Sequence, residues 1–446
     1  MQNDKKSIFG WAMYDWANSA YTTTTLAVLL PAIFADVIVG EGGYRIFATT
    51  LDAESLFSFL VAGTAIIAFI LSPPLGAVGD FSASKLRFLR GFAYTGAILS
   101  TLFALAGPGD VIFVIVLFVI VESCWAFANV FYDSLLPHIS TTDTIDKVSS
   151  RGFAAGYLGG GLQFLFALLL IQFSPESFAA TAAKIGIVMA GLWWLGFTII
   201  GLRRLTEPGT AQELPAAYRT GWRPLAYARL GFSRTFATAR QITKFPQLAL
   251  FLAAFFLYND GVQTVIAISA VFATETLRLD TGDVALAFLV VQVVALVGAL
   301  AFGALSGKIG PKRAILFSLV LWTGVSFMGY SLPEGEFLPF LGLAASVGLV
   351  LGGTQALSRS LYGSMIPDEA SAEFYGFYSV FSKFASIGGP LVFGLVNQVT
   401  GSSRSAILSL IFFFVLGFIL LSRVDVEKAR QAKHEWRFHG AEVDTA

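Results

Sequence analysis

Polar side chains interrupt stretches of this sequence that are otherwise strongly apolar. The run LALFLAAFFLYNDGVQTVIAISAVFA contains Asp260 and Gln263, three residues apart, and the run YDWANSAY contains Asp15 and Asn18 at the same spacing. Residues three apart lie on one face of an α-helix. Each pair would therefore present a carboxylate and a carboxamide together, which suits the binding of a polar solute or the transfer of a proton.

Ionisable groups inside hydrocarbon are costly, and they normally face a bundle interior or a water-filled cavity. The predicted substrate- or proton-binding residues are Asp15, Asn18, Glu122, Asn129, Asp260, Gln263, Gln355 and Lys383. An ion pair of Lys383 with Asp260 or with Glu122 is equally compatible with these positions. Asp133 and Arg359 lie near predicted helix ends, where we expect them either to form buried structural hydrogen bonds or to extend their charged groups outward to water.

The composition indicates an integral membrane protein. Of the 446 residues, 56% are hydrophobic and 13% are charged, whereas a soluble domain carries about a quarter charged residues. The formal net charge is zero, which gives no indication of nucleic acid as a partner. The single cysteine, Cys124, excludes an intrachain disulfide and a multi-cysteine metal site. Because the sequence contains neither metal-ligand spacing nor a cofactor motif, no metal and no cofactor is predicted.

Apolar runs of about 18 to 28 residues predict twelve membrane-spanning helices and an all-α fold class. The predicted limits are 8–38, 55–79, 88–107, 111–136, 152–173, 183–202, 247–273, 283–306, 314–332, 337–362, 374–398 and 404–422. Short matches indicate an internal repeat: GAVGD (76–80) with GALSG (303–307), YDSLLP (132–137) with YGSMIP (362–367), and GGGL (159–162) with GGPL (388–391). We therefore predict two pseudo-symmetric six-helix bundles at 1–204 and 247–422, a basic linker at 205–246 and a tail at 423–446.

Basic residues are concentrated in the loops on one side of the predicted bundle, which predicts that both termini are cytoplasmic. We expect a multi-pass monomer in the cell inner (plasma) membrane. Residues 224–243 predict a basic amphipathic helix on the anionic inner leaflet; a solvated linker that only satisfies topology is the alternative. Pro73 and Pro74 are expected to break or bend the second span, and Pro390 the eleventh.

The loop GALSGKIGPKR, residues 303–313, resembles the cytoplasmic loop signature of the major facilitator superfamily. Gly307 stands where that signature has an acid. In the first half, Lys85 and Arg87 are displaced from the basic positions of the signature, and we expect them only to enforce topology. The resemblance implies a latch between the halves on the cytoplasmic side, formed by Gly76, Asp80, Gly303, Lys308, Gly310, Lys312 and Arg313.

More narrowly, the chain resembles the vacuolar amino-acid effluxer-like branch of that superfamily. The resemblance is carried by GWAMYDWANSAYTTTT (10–25), FYDSLLPHIS (131–140), SSRGFAAGYLGGG (149–161), YNDGVQTV (258–265), GGTQALSRSLYGSMIP (352–367) and FYGFYSVFSKFASIGGP (374–390). It implies a twelve-helix transporter that works by alternating access, with amino-acid export as the best-known activity of the branch.

The expected function is therefore secondary transport of an amino acid or similar zwitterion, with proton-coupled export as one form of it. Lys383 or Arg359 would bind the carboxylate of such a solute. Asp15, Glu122 or Asp260 would bind its ammonium group or carry a proton. A drug, a sugar or a lysolipid is the alternative solute. A membrane-embedded enzyme, which would need a nucleophile with a base or metal ligands at membrane depth, and a sensor that moves nothing are the rival classes.

Overall fold

The computed structural model describes residues 2–46, 49–212, 222–242 and 245–435. Within these ranges, twelve helices are long and apolar enough to cross a membrane, which confirms the predicted number. They are span 1 (Lys5–Val39), span 2 (Ala53–Phe81), span 3 (Lys85–Leu105), span 4 (Val111–Ile139), span 5 (Ile145–Gln172), span 6 (Glu176–Leu202), span 7 (Pro246–Thr276), span 8 (Thr281–Ile309), span 9 (Pro311–Ser331), span 10 (Phe337–Met365), span 11 (Asp368–Thr400) and span 12 (Ser403–Ser422). Two antiparallel strands, Tyr44–Ile46 and Thr49–Leu51, lie between spans 1 and 2.

Polar side chains fix the start of four spans. The carboxylate of Asp4 accepts a hydrogen bond at 2.9 Å from the backbone N–H three residues on, and that of Asp52 accepts one at 2.7 Å. Asp280 and Ser402 cap spans 8 and 12 in the same way. Such caps satisfy N–H groups that the first turn of a helix leaves unpaired. Each of these apolar runs therefore begins as a helix at a defined residue.

Helix breaks follow the prolines only in part. Span 2 remains a continuous helix through Pro73 and Pro74, so the chain does not break there. Span 11 is interrupted, with a first segment at Ser371–Phe384 and a second segment at Gly388–Thr400. The interruption precedes Pro390, which lies in the first turn of the second segment, where a backbone N–H has no helical partner to lose.

Spans 1–6 and spans 7–12 form two halves, and we call the surface along which they meet the seam. Span 2 packs on the first segment of span 11, and span 5 packs on spans 8 and 10. Two glycines permit this close approach. A Cβ atom at Gly76 would collide with the backbone carbonyl of Ala372, and one at Gly303 would collide with the Ser150 hydroxyl.

Both described chain ends lie on the same face of the bundle, which we call the terminal face. The Asn3 backbone N–H donates to the Ile139 carbonyl at the end of span 4 at 2.8 Å. Lys433 Nζ lies 3.6 Å from the Asp368 carboxylate at the start of span 11. The strands between spans 1 and 2 lie at the other end of the bundle, which we call the opposite face.

A helix at Arg223–Ile242, which we call the linker helix, lies between the halves in sequence and agrees with the helix predicted over 224–243. It packs against span 2. Residues 213–221 and 243–244 of the predicted linker and residues 436–446 of the predicted tail lie outside the described residues.

Candidate functional site

Glu122 of span 4 and Lys383 of span 11 form an ion pair across the seam, which we call the central pair. Lys383 Nζ lies 2.9 Å from Glu122 Oε1. At about 1.5 Å per residue, each residue is within about 5 Å of the midpoint of its span. The Tyr21 hydroxyl donates to the second Glu122 oxygen at 3.4 Å, and Lys383 Nζ lies 5.0 Å from the centre of the Trp125 ring. Polar and aromatic groups therefore surround the central pair at the middle of the bundle.

The two members of the central pair differ in burial. The Glu122 side chain is 7% exposed and the Lys383 side chain is 20% exposed. Of the two partners that the sequence allows for Lys383, the structure selects Glu122 rather than Asp260. Because desolvation offsets much of the attraction in a buried ion pair, this pair adds little to stability. Charges that are kept at membrane depth although they add little to stability mark a candidate functional site.

Asp260 of span 7 instead holds the interruption in span 11. Its carboxylate accepts a hydrogen bond at 2.8 Å from the Gly389 backbone N–H, in the first turn of the second segment. The Asn259 side chain donates at 3.3 Å to the Ser382 carbonyl, near the end of the first segment. The positive end of a helix dipole stabilises a carboxylate. Asp260 is therefore tied to the second segment, while Gln263, nearly one turn further along span 7, is half-buried.

Arg359 of span 10 gathers a second group of charges on the seam, which we call the arginine cluster. Its guanidinium lies 3.2 Å from the Asp15 carboxylate of span 1 and 3.1 Å from the Asp133 carboxylate of span 4. Arg359 Nε donates to the Ser149 hydroxyl of span 5 at 3.0 Å, and the Tyr132 hydroxyl donates to Asp15 at 2.6 Å. At about 1.5 Å per residue, the cluster lies about 10 to 15 Å nearer the terminal face than the central pair. One cation from the second half thus forms ion pairs with two carboxylates from the first.

Of the two alternatives for Asp133 and Arg359, the structure shows buried hydrogen bonds rather than charges that extend outward to water. The Arg359 side chain is 4% exposed, and its guanidinium lies 4.7 Å from the centre of the Trp11 ring and 4.2 Å from that of Phe153. Both charged residues do lie near the terminal ends of their spans. The seam is closed at this depth, however, so each charge finds its counter-charge in the other half rather than in water.

Amide side chains lie between the central pair and the arginine cluster. The Asn18 side chain donates to Asn129 Oδ1 at 3.1 Å within the first half, and the Tyr157 hydroxyl donates to Gln355 Oε1 at 2.7 Å across the seam. At about 1.5 Å per residue, the three amides lie about 6 Å from the midpoints of their spans, toward the terminal face. These amides place neutral hydrogen-bonding groups between the central pair and the arginine cluster.

Asp80, at the terminal end of span 2, caps the first segment of span 11 from the other half. Its carboxylate accepts hydrogen bonds from the backbone N–H groups of Ala372 at 3.2 Å and Glu373 at 2.8 Å. Lys85 Nζ lies 2.8 Å from the same carboxylate and donates to the Ser371 hydroxyl at 2.7 Å. Lys85 is therefore a buried part of the contact between the halves, contrary to the expectation that it only enforces topology. We call this group the terminal latch.

The other residues of the predicted latch divide into two groups. Gly76 and Gly303 lie on the seam, where each contacts the other half of the molecule closely. Lys308 and Arg313 are exposed, and Lys312 donates to two carbonyls at the end of span 12, within its own half. Gly310, with φ of 84°, forms the turn between spans 8 and 9. In the described residues, Asp80 and Lys85 thus carry the charged part of the terminal latch.

The seam between spans 2 and 11 is closed at the terminal face. Phe374 and Tyr375 of the first segment are fully buried, whereas Leu391, Leu395 and Val399 of the second segment are exposed. Because span 2 packs on the first segment, the closed part of this seam is the part that contains the terminal latch.

Sequence reasoning missed the neutral partners of the charged groups, namely Tyr132, Ser149 and Ser371. The sequence offers one signal for two of them: Tyr132 is next to Asp133, and Ser149 lies two residues before Arg151. Across the part of the chain that the structure describes, no group of three or more histidine, cysteine, aspartate or glutamate side chains could hold a metal ion.

Solved transporters share this fold at low sequence identity. The proton:xylose symporter XylE bound to 6-bromo-6-deoxy-D-glucose superposes with a TM-score of 0.67 at 13% identity, over 96% of this chain and 97% of that one. The fucose:proton symporter FucP of E. coli superposes with a TM-score of 0.65 at 13% identity, over 94% and 98%. The fold is the twelve-helix fold of the major facilitator superfamily.

Sequence relatives narrow the assignment. The uncharacterized MFS-type transporter YxiO of Bacillus subtilis (strain 168) is 29% identical over 441 residues, 98% of each chain. Autophagy-related protein 22-1 of Neosartorya fischeri is 22% identical over 557 residues, 96% of this chain and 91% of that one. Residues 3–434 match the family described as vacuole effluxer Atg22 like. The chain therefore belongs to the Atg22-like family.

Proposed function

We propose that this transporter moves an amino acid or a similar zwitterion, which binds between Glu122 and Lys383. The observation that carries the proposal is the central pair itself, which joins the two halves at 2.9 Å near the midpoints of their spans. The ammonium group of the solute would replace Lys383 beside Glu122, and its carboxylate would replace Glu122 beside Lys383. Each buried charge then keeps a counter-charge while the solute is bound. Export of such a solute accords with the effluxer description of the family.

The surroundings of the central pair suit a small zwitterion with a side chain. Trp125 offers aromatic surface on the first half, and the Tyr21 hydroxyl bonds the Glu122 carboxylate. The amides of Asn18, Asn129 and Gln355 lie within hydrogen-bonding networks on the terminal side of the pair. We infer that these amides contact polar atoms of the solute when it displaces their present partners.

Alternating access would separate the halves at the terminal face and close them at the opposite face. Opening the terminal face must part Arg359 from its two carboxylates and Asp80 from the start of span 11. We propose that the terminal face is cytoplasmic, because the sequence places its excess of basic loop residues there. The proposed location is the inner (plasma) membrane and the proposed state is a monomer.

Asp260 is our candidate for the proton-carrying group. Its carboxylate bonds the first turn of the second segment of span 11. Protonation would remove the charge that this helix end stabilises and would free the segment to move relative to span 7. Lys383, five residues before the second segment, would move with it.

Counterflow in proteoliposomes tests the substrate assignment. Vesicles containing the full chain are loaded with a panel of amino acids, and exchange of labelled solute is measured for wild type, Glu122→Gln, Lys383→Gln and the double variant. Each single change leaves one buried charge unpaired, at a cost of about 3–5 kcal/mol, and should abolish exchange. The double variant restores neutrality and should fold, but it should not exchange amino acids because neither charge remains.

Arg278→Gln is the matched control, because it breaks an ion pair with Glu334 at 3.8 Å whose members are both largely exposed. Its exchange rate should equal that of wild type. Amino-acid exchange that survives in the double variant contradicts the assignment. Exchange of a sugar, a drug or a lysolipid with no exchange of any amino acid contradicts it as well.

A further inference from the structure

The linker helix carries a surface stripe that neither transport nor gating uses. Trp222, directly before the helix, is 74% exposed, and Phe236 is 67% exposed. Leu225 and Phe232 are exposed as well. These four residues recur at steps of three, seven and four along the chain, which places them on one face of a helix. We call them the aromatic stripe.

The other side of the linker helix packs closely on span 2. A Cβ atom at Gly231 would lie 2.7 Å from the Pro74 carbonyl oxygen, so only glycine permits this approach. The Arg234 guanidinium lies 5.3 Å from the centre of the Phe81 ring. Leu230 is buried. The aromatic stripe is thus held at a fixed position on the bundle and faces away from it.

The contact with span 2 fixes the depth of the linker helix. Span 2 has 29 residues, which at 1.5 Å per residue gives a length of about 43 Å, compared with about 30 Å of hydrocarbon. Its midpoint is at residue 67, so Pro74 lies about 10 Å and Phe81 about 21 Å from the centre of the membrane. The edge of the hydrocarbon, about 15 Å from the centre, falls between them. The middle of the linker helix therefore lies near the edge of the hydrocarbon.

The charges of the linker helix are all of one sign. Its sequence RPLAYARLGFSRTFATARQI contains four arginines and no acidic residue. Arg229 and Arg240 are exposed and continue the face of the aromatic stripe. Aromatic side chains with arginines on one helix face are typical of helices that lie in the interface of a membrane with anionic lipids.

We propose that the aromatic stripe inserts into the lipid leaflet at the terminal face and that Arg229 and Arg240 bind the phosphate groups of anionic phospholipids there. The occupant of this surface is the bilayer itself, because the helix lies near the edge of the hydrocarbon and the arginines beside the stripe are complementary to an anionic leaflet. The proposal does not depend on the identity of the transported solute.

Quenching by labelled lipid tests the contact. In a Cys124→Ser background, which removes the only native cysteine, Phe236→Cys receives a bimane fluorophore. The full chain is reconstituted in phosphatidylcholine vesicles, with or without phosphatidylglycerol, that contain a lipid with a nitroxide near its headgroup. The matched control is Asp143→Cys, in the exposed turn between spans 4 and 5 on the same face.

The fluorophore at position 236 should be quenched strongly and the one at position 143 weakly. Phosphatidylglycerol should increase quenching at position 236. Arg229→Gln should reduce that increase, because one basic residue near an anionic surface shifts such an equilibrium about fivefold. Equal quenching at the two positions would overturn the bilayer contact and would indicate a water-exposed or protein-covered helix. Strong quenching at position 236 that ignores phosphatidylglycerol and Arg229→Gln would overturn the recognition of anionic lipid.

Discussion

We predict that Arg359→Gln opens the terminal face. In the closed seam, this guanidinium pairs with both Asp15 and Asp133, at 3.2 and 3.1 Å. Removing one partner of a buried ion pair costs about 3–5 kcal/mol, because a charge is left buried without a counter-charge. An open seam hydrates the two carboxylates. If hydration recovers about 2 kcal/mol of that cost, the open population should rise about 30-fold, since 1.4 kcal/mol is tenfold.

The assay is the labelling rate of a cysteine placed in the seam. Ser150 is suitable because it is buried against Gly303 of the other half and its hydroxyl has no hydrogen-bond partner within the described residues. Ser150→Cys in a Cys124→Ser background is reacted with a membrane-impermeant maleimide from the terminal side. Arg359→Gln should raise the rate by one to two orders of magnitude if opening limits the reaction.

Arg278→Gln provides the control for this experiment. Arg278 lies 3.8 Å from Glu334 and both side chains are largely exposed, and exposed pairs contribute about 0–1 kcal/mol. The labelling rate of its Ser150→Cys variant should therefore stay within about fivefold of the parent. An unchanged rate in Arg359→Gln, or an equal increase in Arg278→Gln, would contradict the role of the arginine cluster in holding the terminal face closed.

Three further predictions concern other parts of the molecule. Gly76→Leu should prevent closure at the terminal face and abolish exchange. Gly91→Leu, at an exposed glycine with open space around it, should leave exchange intact. Equal exchange in both variants would contradict the close contact between Gly76 and Ala372. Asp260→Asn should abolish uptake driven by a pH gradient while counterflow persists, because only the former needs a titrating group; retained gradient-driven uptake would exclude Asp260 as the proton carrier. Burial raises the pKa of the Glu207 carboxyl above its ordinary value of 4.5. The folded state therefore binds the carboxyl proton more tightly than the unfolded state does. Because of this difference, the protein loses stability as pH rises above 4.5. The melting temperature of Glu207→Gln should therefore rise relative to that of wild type as pH increases above about 4.5, and a difference that does not change with pH would contradict the shift.

The number of spans and most of their limits, to within three residues, were predictable from the sequence because hydrocarbon admits only long apolar helices. Spans 5, 6 and 11 begin six or seven residues earlier than predicted, because their first turns are polar and lie outside the apolar runs. The break in span 11 was less predictable, since Pro390 lies beside it while Pro73 and Pro74 leave span 2 continuous. A proline in a long span removes a helical hydrogen bond, but packing and neighbouring groups decide whether the helix breaks. Asp260 and Asn259, which bond both edges of the break, come from another span.

The charged residues of the site were found in the sequence, but their partners were not. Lys383 could pair with two carboxylates, and only the packing of span 11 on span 4 selects Glu122. Arg359 looked like a residue at a helix end, and nothing near it in sequence indicates that Asp15, 344 residues away, faces it. Contacts between the two halves depend on how the halves meet, which local patterns do not encode.

Solute analogues that lack one charge test whether the central pair binds the transported amino acid. Binding of the transported amino acid, its decarboxylated amine and its deaminated acid is measured for wild type, Lys383→Gln and Glu122→Gln in detergent. Wild type should prefer the amino acid by about tenfold or more over each analogue, because a hydrogen bond to a charged group contributes about 1.5–3 kcal/mol. Lys383→Gln should bind the amino acid and the amine equally, and Glu122→Gln should bind the amino acid and the acid equally. Variants that keep the full preference of wild type would contradict the account, because the charges of the solute would then be held by other residues.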